Sequence, residues 1–191
     1  MSNLPDDAWQ KILDFEGRFS NDQNDPGGAT FLGIARNRNP QWPGWHFVDL
    51  AMRDGLFLPN ADNMSALTRM AREFYAEKWE LMQGPKFLNQ QLAVYVFDSA
   101  VNVGARRAQQ WLQVALNALN NGARLWKDVT VDGHIGPATL AAEEAAARSD
   151  RRGTVLFAVR VLRAGFYLNL VDASPTRWER YCAGWLRRAA A

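Results

Sequence analysis

The 191-residue chain has a single cysteine, Cys182, so it can form no intramolecular disulfide and no Cys-rich zinc site. Its two histidines, His46 and His134, are too few for a histidine-built metal centre, and neither a metal nor a cofactor is expected. The opening residues MSNLPDDAWQ lack both the basic and the apolar stretch of an ordinary signal peptide. No long unbroken apolar run occurs. The most apolar stretch, TVLFAVRVLRAGFYLNL, is interrupted by Arg160 and Arg163, which argues against a membrane span. With 48% hydrophobic and 22% charged residues, the chain is neither disordered nor fibrous, and it is long enough for a sizeable core.

Acidic and basic residues nearly balance overall but not locally. Residues 1–150 carry 14 Lys+Arg against 18 Asp+Glu, whereas residues 151–191 carry 8 against 2. The basic C-terminal fifth reads first as a helical surface with solvated arginines. Contact with an anionic lipid or polymer is the sharper alternative.

Apolar spacing is helical almost throughout, which predicts an all-α chain with at most a short hairpin near Thr30–Ile34. Trp9, Ile12 and Leu13 mark a first helix, with Pro5, Asp6 and Asp7 suited to its start and Gly17 to its end. Residues 18–46 are rich in Asn, Asp, Pro and Gly and read as a long loop, of the kind that usually carries function. Helices are expected over about 47–53, from Ser65 past Tyr75, and over about 88–103. The last is apolar nearly all round and is read as the central buried helix. Further helices follow after Gly104, after Pro137, over about 152–171 and over about 175–188.

Glu16 follows Trp9, Ile12 and Leu13 by seven, four and three residues, which sets its carboxylate on the apolar side of the first helix. Desolvation and the negative end of the helix dipole both disfavour the anion there, as suits a group that must donate a proton. A helix-end glutamate reaching into solvent fits the same spacing. The following segment, NDQNDPGGAT (21–30), supplies Asp22, Asp25 and the Thr30 hydroxyl. An acid plus a separate carboxylate is the minimum set for glycoside hydrolysis. A polar turn capped by Asx side chains accounts for the same residues. A calcium loop does not: counting from Asp22, Pro26 and Gly33 fall where oxygen ligands are required.

The segment FEGRFSNDQNDPGGATFLGI (15–34) closely resembles the catalytic segment of glycoside hydrolase family 108, lysozyme-like N-acetylmuramidases common among bacteriophage endolysins. Glu16, Gly17, Phe19, Asn21, Asp22, Asp25, Gly27, Gly28, Thr30, Gly33 and Ile34 carry the match. Arg18 stands where the family usually has a second glycine. A second resemblance, to the peptidoglycan-binding region usually fused to that segment, rests on VFDSAVNVGARRAQQWLQVALN (96–117) and VDGHIGPATLAA (131–142), with YAEKW (75–79) between.

These resemblances imply a lysozyme-like helical bundle around a central buried helix. They divide it into a catalytic region, 1–92, and a helical peptidoglycan-binding region, 93–191, packed as one compact domain. They imply cleavage of the β-1,4 bond between N-acetylmuramic acid and N-acetylglucosamine, with Glu16 as general acid. Asp25, or alternatively Asp22, would stabilise the cationic centre or activate water, and Thr30 would help hold that water. The gaps Glu16–Asp25 and Asp25–Thr30 also resemble the Glu–Asp–Thr arrangement of phage-type lysozymes, with one residue fewer before the threonine, and that likeness favours inversion. A lytic transglycosylase, or a non-catalytic wall-binding protein or secretion activator, is the rival reading.

Gly28, Asn102, Trp42 and Trp45 are expected at the substrate, the two tryptophans either as a sugar-stacking platform or as buried anchors of their loop. Expected partners are peptidoglycan glycan strands and a holin-type protein, with no nucleic acid and a monomeric state. The enzyme would accumulate in a host cytoplasm and reach the wall once the inner membrane opens. Trp178, Tyr181, Cys182 and Trp185 form a stripe on the last helix, which either docks on the core or contacts an anionic membrane weakly, docking being preferred.

Overall fold

The structure is a computed structural model that describes residues 3–16, 18–21, 27–55 and 65–191. The described residues are mainly α, as expected, with eight α-helices and one small antiparallel sheet. They fall into two compact units, Met1–Leu81 and Met82–Ala191.

In the first unit, α1 (Asp6–Phe15) begins after Pro5, with Asp6 and Asp7 in its first turn, where the helix dipole favours anions. Trp9 and Ile12 are buried, but Leu13 on the flank of that stripe is exposed. The expected hairpin is the outer part of a three-stranded sheet. Its strands are β1 (Phe19–Ser20), β2 (Thr30–Phe31) and β3 (Ile34–Ala35), paired Phe19↔Phe31 and Phe31↔Ile34. Strands of two residues carry too little periodicity to be read from sequence.

The β2–β3 connection is a two-residue turn in which both Leu32 (φ 46°) and Gly33 (φ 77°) take positive φ, the signature of turns that match strand twist. Leucine is costly there. Its side chain is buried and its N–H donates to Arg18 O at 2.9 Å, which offsets the strain. The sheet leads into α2 (Gly44–Arg53) and, after residues 56–64, α3 (Ser65–Leu81). The core of this unit is aromatic: Trp42 packs on Phe31, Trp45 and Phe74 at ring separations of 6.0, 5.1 and 6.4 Å.

The second unit opens with a 3-10 turn (Gly84–Lys86) and α4 (Gln90–Val103), whose residues Leu92 to Ala100 are all buried, as its all-round apolarity predicted. α5 (Ala105–Leu119), α6 (Pro137–Ala147), α7 (Arg152–Ala173) and α8 (Pro175–Ala190) follow. Two buried polar centres fix it. Glu143 accepts the N–H groups of Leu88 and Asn89 at 2.9 and 2.8 Å, capping the start of α4. Burial pushes its carboxyl above the ordinary range although both amides pull it down.

The second centre corrects, for Arg163 and Arg188, the expectation that the C-terminal arginines are solvated; Arg152, Arg177, Arg180 and Arg187 are exposed as expected. Asp98 on α4 is buried between Arg163 of α7 and Arg188 of α8, at 2.6 and 2.8 Å. Burial works against the Arg163 charge, but Asp98 and Tyr167 more than offset it and hold the guanidinium above its ordinary value. By length and composition α7 could cross a membrane. Here it packs on α4, α5, α6 and α8 and turns Arg163 inward, while Phe157, Val161 and Leu168 stay exposed. Of the stripe on α8, Trp185 stacks on Tyr167 of α7 at 5.3 Å, while Tyr181 stacks on Trp185 within α8 at 5.6 Å and stays exposed.

Candidate active site

Glu16 is not in the last helical turn but one step beyond it. Its backbone is extended (φ −97°, ψ 127°) and its N–H still donates to Ile12 O at 2.9 Å. This step turns the half-exposed side chain from α1 toward the β2–β3 turn. Its Oε2 lies 2.8 Å from the point a side chain on Gly33 would occupy, and the Tyr75 hydroxyl lies 2.8 Å from the same point.

Glycine at 33 is therefore required twice, for its positive φ and for the space that the carboxylate and the phenol fill. Tyr75, buried on α3, donates to Leu32 O at 2.7 Å and packs against Trp9 at 6.4 Å. α1, the sheet turn and α3 thus converge on one carboxylate. Such a niche holds a proton donor in a fixed direction.

Thr30 lies on β2, and its hydroxyl donates to Gly28 O at 3.2 Å, which leaves the oxygen lone pairs to accept from a water or ligand. Gly28 has φ 67°, and a Cβ there would meet the Asn37 amide at 3.1 Å, so its open face is taken by the protein's own side chain. Arg18, in the place of the family glycine, is exposed and accepts from Leu32 through its carbonyl. Asp22 and Asp25 lie outside the described residues.

The expected tryptophan platform is not formed. Trp42 and Trp45 are only 6% and 3% exposed. The indole of Trp45 donates to Asn39 O at 2.8 Å, and Gly44 gives Trp42 its room, since a Cβ there would lie 2.3 Å from the ring. They are the buried anchors of their loop, and too little of either ring reaches solvent to form a stacking platform. Asn102, at the end of α4, accepts from the Tyr167 hydroxyl and so joins the Asp98–Arg163 network.

The 131–142 motif is likewise a clamp. Gln113 donates to Asp132 at 2.8 Å and accepts from Gly133 N at 2.8 Å, while Asp132 also accepts from His134 N at 2.8 Å. The Gln113 amide, then the His134 N–H, hold the Asp132 carboxyl below its usual range. Sequence reasoning assigned no role to Tyr75 or Gly33. Tyr75 reads as one more apolar position of a helix and as the start of the YAEKW resemblance, and Gly33 as a position of the family pattern that also speaks against a calcium loop.

Residues 9–104 match the family model of glycosyl hydrolase 108, and residues 107–190 match that of a predicted peptidoglycan domain. The chain belongs to glycoside hydrolase family 108. It is a glycoside hydrolase of the lysozyme-like, mainly helical kind, with peptidoglycan as its substrate. Among solved structures it is similar to that of Brucella abortus SagA, with 22% identity and a TM-score of 0.59 over 96% of this chain and 91% of that one; the likeness is one of fold. No match to a curated protein was found.

Proposed function

We propose that the protein is an N-acetylmuramidase that cleaves the β-1,4 bond between N-acetylmuramic acid and N-acetylglucosamine, with Glu16 as the general acid. The observation that carries this reading is the fixed placement of the Glu16 carboxylate beside Gly33 and Tyr75, within the segment matched by the glycosyl hydrolase family. Glu16 protonates the departing glycosidic oxygen as the C–O bond breaks. Asp25, or Asp22, activates the water that attacks the anomeric carbon or steadies the developing positive charge. Thr30, whose proton is committed to Gly28 O, accepts from that water.

In this reading the protein is a monomeric phage endolysin. It is made in the host cytoplasm and reaches the wall when a holin-type partner opens the inner membrane. Contact of the basic C-terminal helix with anionic lipid would be accessory.

The test is digestion of purified peptidoglycan by wild type and Glu16→Gln, followed by turbidity and by mass spectrometry of the products. The amide keeps the volume but has no acid proton, so activity should fall to well under about a tenth. Reducing muramic acid ends support a muramidase, anhydro ends a transglycosylase, and intact glycan a wall-binding protein. Asp25→Asn should cost more activity than Asp22→Asn; the reverse order would exchange their roles.

A further inference from the structure

The first unit contains a cavity of about 420 Å³ between the 38–43 loop and one face of α3. Gly33 and Tyr75, which flank the Glu16 carboxylate, do not line it. Its apolar wall is built from Trp42, Phe74 and Met70. The wall is rigid, because the Trp42 ring is fixed on Gly44 and against Phe31, Trp45 and Phe74.

Charges of both signs border it: Arg38 from the loop, and Glu73 and Glu77 one helical turn apart on α3. Among the described residues Arg38 and Glu77 form no ion pair, and Glu73 has only a 3.9 Å contact to Arg69 with both side chains exposed. The Phe74 ring already attracts a cation, since the Lys78 ammonium sits 4.4 Å from its centre.

A cavity of this size takes a small molecule or the end of a chain. A neutral sugar ring could lie against Phe74 but would leave Arg38 and Glu77 without counterparts. A simple anion meets two carboxylates, and a simple cation leaves Arg38 unanswered. We propose that the cavity binds the zwitterionic end of an amino acid carried on an alkyl chain. The carboxylate pairs with Arg38, the ammonium with Glu73 and Glu77, and the methylenes lie on Phe74 and Met70, beside Trp42.

This rests on the peptidoglycan reading above, because the stem peptides of that polymer bear diamino acids whose free ends have this chemistry. The first unit would then hold the peptide of the wall polymer while Glu16 acts on its glycan.

The test uses the full chain with meso-diaminopimelate as probe. Binding is followed by calorimetry and by the shift of the Trp42 indole N–H signal. 1,5-Diaminopentane, glutarate and N-acetylglucosamine serve as probes with one charge sign or none. Diaminopimelate should bind saturably in the millimolar range or tighter, and the other three about tenfold more weakly. Arg38→Gln and the double variant Glu73→Gln/Glu77→Gln should each weaken it about tenfold at unchanged melting temperature.

Glu16→Gln should bind the probe as wild type does. A protein that binds diaminopimelate but does not cleave glycan would overturn the muramidase reading alone. No saturable binding, equal binding of N-acetylglucosamine, or indifference to all three charge changes would overturn the cavity assignment.

Discussion

Replacing Gly33 by alanine places a methyl group where two oxygens already press. Its carbon would lie 2.8 Å from Glu16 Oε2 and 2.8 Å from the Tyr75 hydroxyl. Non-bonded heavy atoms of this kind settle near about 3.5 Å, so one or both oxygens must retreat by roughly half an ångström. Tyr75 is poorly placed to yield, being buried and bonded to Leu32 O at 2.7 Å. The carboxylate is therefore the group displaced.

The φ of 77° at residue 33 costs an L-residue about 1–2 kcal/mol. Overpacking adds a further 1–3 kcal/mol or so. The sum corresponds to a fall in melting temperature of at least about 5 °C. On the proposed role of Glu16 as general acid, hydrolysis should fall by about tenfold or more at temperatures where the variant is fully folded, because small misplacements of a proton donor are costly.

Tyr75→Phe gives the control. It removes one of the two oxygens, so Gly33→Ala should cost less stability in that background than in wild type. Activity within a factor of about two of wild type, with an unchanged melting temperature, would refute the claim that this glycine makes room for the Glu16 carboxylate.

Three further outcomes follow from the second unit. Asp98→Ala should destabilise by about 3–5 kcal/mol in denaturant titration, because it strands Arg163 and Arg188 as buried, uncompensated charges. A loss below about 1 kcal/mol would mean that those arginines find water or other partners. The Asp132 carboxyl is held below its usual range by Gln113 and His134 N–H, so its contribution to stability is present above the ordinary carboxylate value and is lost as pH falls through the depressed one. Backbone ¹H–¹⁵N signals of Gly133 and His134 should accordingly move on acidification below about pH 4, and should stay fixed in Asp132→Asn. Deleting residues 175–191 removes the Arg188–Asp98 pair and the acceptor of the Tyr95 hydroxyl, Ala189 O, so melting should fall by several degrees or more. Normal melting with loss of anionic-vesicle binding alone would instead make α8 a membrane-seeking tail.

Local rules alone determined most of the helices. The apolar register that buries Leu92 through Ala100, the glycine at 104 and the prolines at 137 and 175 mark elements through steric and periodic constraints within a few residues. The motif around Glu16 was legible for the same reason: it is one continuous segment. What tertiary structure decided lies between segments far apart in sequence. Nothing local tells that Tyr75 reaches Leu32, or that Gly33 lacks a side chain because Glu16 fills its place. Trp42 and Trp45 could stack on sugar or on protein, and only the convergence of Phe31, Gly44 and Phe74 put them inside. Arg163 interrupts an apolar run and so reads as surface, yet it is buried because Asp98, 65 residues away, supplies the opposite charge. A charge is placed by the partner that compensates it, and that partner is set by how helices pack rather than by the residues beside it in the chain.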